Sequence, residues 1–384
     1  MRIQPQVSVL IFLAVSCLSG CSLLDLADRP VPPHLSEAKV FVREIDLQKA
    51  DFASLDTVGE ISDIKPAPDG KSIAVAGSQG AVYLNKTGKI GHTVMYRAEG
   101  KVLLNEVVLV APNSNTGKFK FLDRGSWGRG SCLLNESGEQ VWRANEKDGV
   151  DDTAYGLLSD NPAGRFVVGY NGDGGVSLLD EGGKELWNRP DGNVWHVEIT
   201  EKADSGSGRI IHSNAGGEVT IRSGNGEIVS RGRAPFYFSD FSLCRWPHER
   251  SEQCLLGTAD GFVWLLEQSG KEIARFPIPV NGLFGEVHGT SVRFASAGPS
   301  YLASVIYWKN WNRAIFCVHD QSGKLVFEEV FTKPVRTIAL THTNGGGRNA
   351  VLIGGGGVLL KYELGTKTPE KVGSETKAES SNRY

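Results

Sequence analysis

Val176-Ser177-Leu178-Leu179-Asp180-Glu181-Gly182-Gly183-Lys184-Glu185-Leu186-Trp187 reads as a strand, a turn and a second strand. Val176 and Leu178 flank Ser177, the alternation of a strand with one buried face. Asp180 is a residue type that hydrogen-bonds turn backbone. Gly183 offers the positive φ that a tight inter-strand turn demands. Apolar residues then resume at Leu186 and Trp187. One hairpin decides little, but this one recurs.

Similar units occupy residues 82–89, 132–139, 219–227, 263–271 and 316–324, and a degenerate copy fills 358–365. Their turn glycines, at 88, 138, 183, 226, 270, 323 and 365, are separated by 50, 45, 43, 44, 53 and 42 residues. That period suits one four-stranded propeller blade of ~40–50 residues. The expectation is an all-β chain folded as a single β-propeller of seven four-stranded blades over residues 40–364, with eight blades as the alternative. The last copy lacks a fourth strand. Val40-Phe41-Val42-Arg43-Glu44-Ile45 is expected to supply it, closing the ring and hiding a sheet edge. The spacing of 53 predicts an inserted rim loop near Tyr307 to Trp311.

The N-terminus carries a different message. Arg2 precedes an apolar run from Val7 to Leu18, which ends in Leu18-Ser19-Gly20-Cys21. This resembles a bacterial lipobox, with residues 1–20 as the signal peptide and Cys21 as the acylated first mature residue. The run is too short to span a bilayer. Residues 21–39 then form a Pro-containing spacer, and Ser22 favours the outer membrane by the enterobacterial sorting habit. Residues 365–384, rich in Lys, Glu, Ser and Thr, read as a disordered tail.

The net charge of −3 becomes −4 without Arg2, and no basic stripe appears, so nucleic acid is not an expected partner. Gly is abundant, 47 of 384 residues, without a collagen period. Beyond the signal stand Cys132, Cys244, Cys254 and Cys317, with no paired CxxC motif. Cys244 and Cys254 flank a turn and are candidates for a cross-strand disulfide, which spacing alone leaves open.

Pro68-Asp69-Gly70-Lys71-Ser72-Ile73-Ala74-Val75, with relatives at 161–169 and 298–305, resembles the turn between the first two strands of WD-type and TolB-type blades. The hairpin from Asp180 to Trp187 is similar to pyrroloquinoline-quinone-like repeats. These short motifs imply a fold rather than an activity. The chain lacks the adjacent cysteines that enzymes with the quinone often carry, so no cofactor is expected. Anchoring, size and repeat type also resemble the propeller lipoproteins of the outer-membrane β-barrel assembly machinery, in which eight blades are usual.

Candidate chemistry is sparse. His196 and Glu198 share one face of a strand, and His212 lies on the next, so the three are candidates for a metal or acid–base site. The competing reading gives them inter-blade hydrogen bonds. Asn171-Gly172-Asp173-Gly174-Gly175 reads as a hairpin turn rather than a Ca²⁺ loop. The glycine runs at 345–347 and 354–357 read as turns, since no Lys-Ser or Lys-Thr pair follows. Phe236 to Phe241 and Tyr307, Trp308 and Trp311 are candidate binding platforms. The sequence thus favours a membrane-anchored envelope module that binds a protein or peptide. The rival is an exported lyase, hydrolase or transferase using His196, His212 or His288 at the central funnel. Polar side chains converging at the axis would favour the enzyme, and an aromatic rim the binding module.

Overall fold

A computed structural model describes residues 29–365, except 68–70, 98–105, 113–118, 126–129, 145–148, 159–163, 201–207, 215–216, 235–240, 248–249, 251, 282–284, 296 and 343–348. Seven antiparallel sheets, each running from an inner to an outer strand, form a β-propeller. Blade one spans strands Ile61–Pro66 to Ile90–Met95, blade two Val107–Pro112 to Gln140–Arg143, and blade three Val150–Gly156 to Glu185–Arg189. Blade four runs from His196–Ile199 to Ile228–Arg233 and blade five from Ser242–Cys244 to Glu272–Pro277. Blade six runs from Gly285–Val292 to Leu325–Phe331, and blade seven begins with Thr337–His342, Asn349–Gly355 and Val358–Leu364. The expected architecture and blade number are those observed.

The recurrent turn works as its residues require. Asp180 Oδ1 accepts from the N–H groups of Gly182 and Lys184 at 2.9 and 3.0 Å. Asn85, Asn135 and Asp320 do the same in their blades. The six turn glycines from Gly88 to Gly323 share a φ of 81–86°, where a Cβ is strained. Gly183 is doubly constrained, because a Cβ there would sit 2.8 Å from Cγ of Trp142 in the previous blade. Gly365 is not such a turn. It follows the last strand, and its N–H donates to the Asp46 carbonyl.

Closure uses an N-terminal strand, but not the expected one. Leu47–Ser54 pairs along Val358–Leu364 as the outer strand of blade seven. Lys39–Arg43 instead pairs with Leu325–Phe331, as a fifth strand on blade six. Neither KVFVR nor LQKADFAS alternates cleanly, so pattern alone does not choose between them. Burial does. Leu47 is 2% exposed in a cluster with Tyr362 and Leu360, whereas Val40 and Phe41 remain 38% and 40% exposed.

The extra length of blade six is also not an inserted loop. Its four strands have 8, 8, 7 and 7 residues, against 4, 4, 5 and 6 in blade four. Residues 309–312 form only a turn. Nor is the whole spacer free. Pro33–Leu35 is a short 3₁₀ turn whose Leu35 is fully buried between blades five and six, beside Trp246, Phe276 and Trp308. Among the described residues, no helix is long and apolar enough to cross a membrane.

Candidate functional site

The innermost strand of every blade begins at one end of the channel, and charged residues cluster there. Asp152, near the start of Val150–Gly156, is the hub. Arg124, just past Phe119–Asp123 in blade two, grips it bidentately at 2.9 and 3.0 Å. His196 Nδ1 lies 2.6 Å from Asp152 Oδ2, and the N–H groups of Thr153 and Val197 donate to the same carboxylate at 2.8 and 3.0 Å. Arg124 also donates to Glu198 Oε1 and the Val197 carbonyl, both at 3.2 Å. His196 Nε2 donates to the Phe241 carbonyl at 2.8 Å. Blades two, three and four, with the approach to blade five, are therefore joined by one network.

The electrostatics follow from burial and pairing. Burial disfavours the imidazolium of His196, yet the Asp152 carboxylate and its hydrogen bond overcome this and lift the pKa to about 10. Burial likewise opposes the charge on Asp152, but Arg124 and His196 hold its pKa well below the usual carboxylate range. Glu198 is lowered in the same way, against its own burial, by Arg124 and His196.

A second clamp joins blades six, seven and one. Arg336, before blade seven, donates to Glu286 of blade six at 2.7 and 3.0 Å and to Glu60, before blade one, at 3.3 Å. Hydrogen bonds to backbone join blades one and two, where Ser62 Oγ donates to the Val107 carbonyl at 2.6 Å and Leu109 N–H to the Asp63 carboxylate at 2.8 Å. Between these groups lies a cavity of ≈ 80 Å³, lined by Glu106, Asp151, Trp195, Glu286 and His288 among others. Asp151 is pushed up to about 6, by burial and then by the neighbouring Asp152 charge. Burial pushes His288 down.

The predicted trio therefore divides. His196 and Glu198 meet, 3.6 Å apart, but His212 is excluded. It lies opposite Val197 in the register, and opposed residues of an antiparallel pair share a face, so it points away from His196. Arg222 Nε donates to His212 Nε2 at 3.3 Å, and Asp191 lies 3.4 Å away. Burial holds this imidazole below its ordinary pKa, as accepting from a guanidinium requires. Among the described residues, no three His, Cys, Asp or Glu side chains gather as a metal site.

The aromatic candidates also change standing. Tyr307 and Trp308 are 6% and 1% exposed and belong to the blade-six core, so neither offers a platform. Their strand is buried on both faces, which its apolar run, broken only by Ser304, foreshadows. Trp311 is half-buried, and its indole N–H donates to the Arg29 carbonyl at 3.1 Å. Cys244 and Cys254 are directly opposed across their strands and stand as buried free thiols. Cys21, the signal segment, residues 366–384 and positions 236–240 of the second aromatic candidate lie outside the described residues.

Arg124, Asp152, Glu286 and Arg336 escaped the sequence reading. Each is a lone charge beside a strand end, and only the Asp151-Asp152 pair, at the start of an apolar strand, hinted at a role.

No protein family matches the sequence, and no curated protein does. Solved structures share the fold. BBS1N in complex with ARL6DN is 13% identical with a TM-score of 0.53, covering 84% of this chain and 97% of that one. Virginiamycin B lyase from Staphylococcus aureus is 12% identical with a TM-score of 0.54, covering 83% and 99%. BamB from Moraxella catarrhalis is 13% identical, covering 89% and 96%, at a TM-score of 0.45.

Proposed function

We propose that this chain is an exported, lipid-anchored β-propeller of the bacterial cell envelope that binds a protein or peptide partner on its disc surface. The observation that carries this reading is the state of the axis. Among the described residues its charged side chains are largely spent on joining blades, and the ≈ 80 Å³ left between them falls far short of the ~300–1,000 Å³ of a ligand pocket. Recognition then belongs to the outside. Leu186, Ile228 and Val229, on the outer strands of blades three and four, are 45–48% exposed. Cys21 supplies the acylation site, and the outer membrane is the favoured location. The fold by itself is neutral between binding and catalysis, since one similar structure is a complex with a protein and another is a lyase.

The test is capture from solubilised envelopes with the tagged, lipidated chain. A stoichiometric partner that is lost in Leu186→Glu with Ile228→Glu, while the melting temperature holds, supports the reading. No partner after mild crosslinking counts against it.

The enzyme reading retains one observation. Asp151, with a pKa of about 6, and His288 line the same small cavity, the kind of pair that moves protons. Binding to the disc surface predicts that Asp151→Asn leaves partner recovery unchanged.

A further inference from the structure

The N-terminal arm is bound at one corner of the disc, and this limits how an anchored ring can sit on a membrane. Six contacts define the corner. Trp311 donates to the Arg29 carbonyl at 3.1 Å, and Arg313 Nε donates to the Leu35 carbonyl at 3.1 Å. Leu35 is fully buried between blades five and six, and Val31 packs against the same cluster. His34 stacks on Phe41, with ring centroids 4.1 Å apart, and reaches the buried Glu328 carboxylate. The chain entering the fold is therefore held from residue 29 onward.

Eight residue steps separate Arg29 from Cys21. At ~3.3–3.6 Å per residue they reach at most ~29 Å. Two opposed blades of four and five strands, at ~4.8 Å spacing, measure roughly 33 Å before the channel between them is added. The tether is shorter than the disc is wide, so the far side cannot be the side held at the bilayer.

The exposed chemistry at this corner is that of a headgroup-facing surface. Gly285, Trp308 and Arg313 stand in register at one end of blade six, with Phe331 opposite Ala314 and Lys39 opposite Val330 beside them. Arg29, Lys39, Lys49, Lys309 and Lys333 are all exposed there, against the exposed acids Glu37 and Asp51. A groove of ≈ 370 Å³ opens along the same end, between blades six and seven. Val330, Phe331, Val358 and Leu360 line it together with Lys39, Lys333, Asp51 and the Lys49–Glu329 ion pair. Cations over apolar surface, next to a half-exposed Trp, are the residue types that meet anionic lipid at an interface.

We propose that the blade-six corner, formed by Arg29, Lys39, Lys309, Trp311 and Lys333, is the surface that the anchored protein lays against anionic phospholipid headgroups. This rests on acylation of Cys21. The opposite end of the blade, with the glycine turn at residues 320–323, faces away from the bilayer.

The experiment uses the full-length, processed protein in phosphatidylethanolamine–phosphatidylglycerol vesicles carrying a headgroup nitroxide. A fluorophore is placed at Asn310→Cys or at Gln321→Cys, both exposed and at opposite ends of blade six. The cysteines of the described fold are buried and stay unlabelled. The N-terminal peptide is first weighed. An acylated Cys21 with several-fold stronger quenching at position 310 than at 321 supports the proposal. An acylated chain with equal quenching, or stronger quenching at 321, overturns the orientation and leaves the anchor intact. A mature chain without acyl groups overturns the anchor and this surface with it.

Discussion

Asp152 holds three blades with one carboxylate, so its removal is expected to be severe. Asp152→Asn leaves Arg124 and His196 buried without their counter-ion, a change that costs about 3–5 kcal/mol. Urea unfolding of the purified variant measures it, and a loss under about 1 kcal/mol would show the network to be dispensable. Two histidines give opposite pH signatures. His196 has a folded pKa of about 10, above the unfolded ~6.5, so its stabilisation is complete below ~6.5 and fades as pH rises toward 10. The gap in stability between wild type and His196→Gln should shrink over that range.

His319 runs the other way. Burial depresses it to about 4, while its Nε2–H donates to the Pro277 carbonyl at 2.8 Å. The unfolded chain then takes up a proton first, and stability is lost as pH falls from ~6.5 toward 4. His319→Gln should flatten the acid limb of a stability-against-pH curve, and an unchanged limb would refute this. The cysteines offer a simple count. Cys132, Cys244, Cys254 and Cys317 are buried thiols, and burial raises the pKa of each. A thiol reagent should find none of the four in the native protein and all four after unfolding without reductant. Only two after unfolding would mean that Cys244 and Cys254 are bridged.

At the scale of elements, the arm and the two N-terminal strands do different work. Leu35→Ala empties a fully buried site and should cost about 2–5 kcal/mol, or less if the arm alone detaches. Limited proteolysis separates these outcomes, since a detached arm is cut near residue 35 while the ring survives. The repeating hairpins were legible because each contains its own reasons: alternation, a polar turn residue and a glycine at the required φ. Val176, Leu178, Val219 and Ile221 were placed on a buried face by that logic, and all are at most 3% exposed. Pattern points to the segment from Val40 as the clasp because it is the more apolar of two neighbouring segments, neither of which alternates cleanly. The choice between them depends on which sheet edge each one reaches, a property of the closed ring.

For the whole molecule, closure is the stabilising event. A chain beginning at residue 46 keeps Leu47–Ser54 and should unfold in one transition at a lower temperature than the intact protein. A chain beginning at residue 55 exposes the Val358–Leu364 edge, and unpaired edges recruit other chains. Size-exclusion chromatography should show the second as aggregate, and a stable monomer would argue that the ring closes without a clasp.

By itself the sequence determined six of the recurring hairpins with their glycine turns, the seven-blade period and the all-β class, because these rest on interactions between residues a few positions apart. The lipobox-like stretch at residues 18–21, on which the proposed anchor rests, is likewise a local motif. Only the tertiary structure decided which strand clasps the ring, that Trp308 is core and that His212 turns away from His196. It alone revealed Arg124, Asp152, Glu286 and Arg336 as the stitching of the axis. Such pairings join residues far apart in sequence, and a lone charge shows no partner until the blades are set side by side.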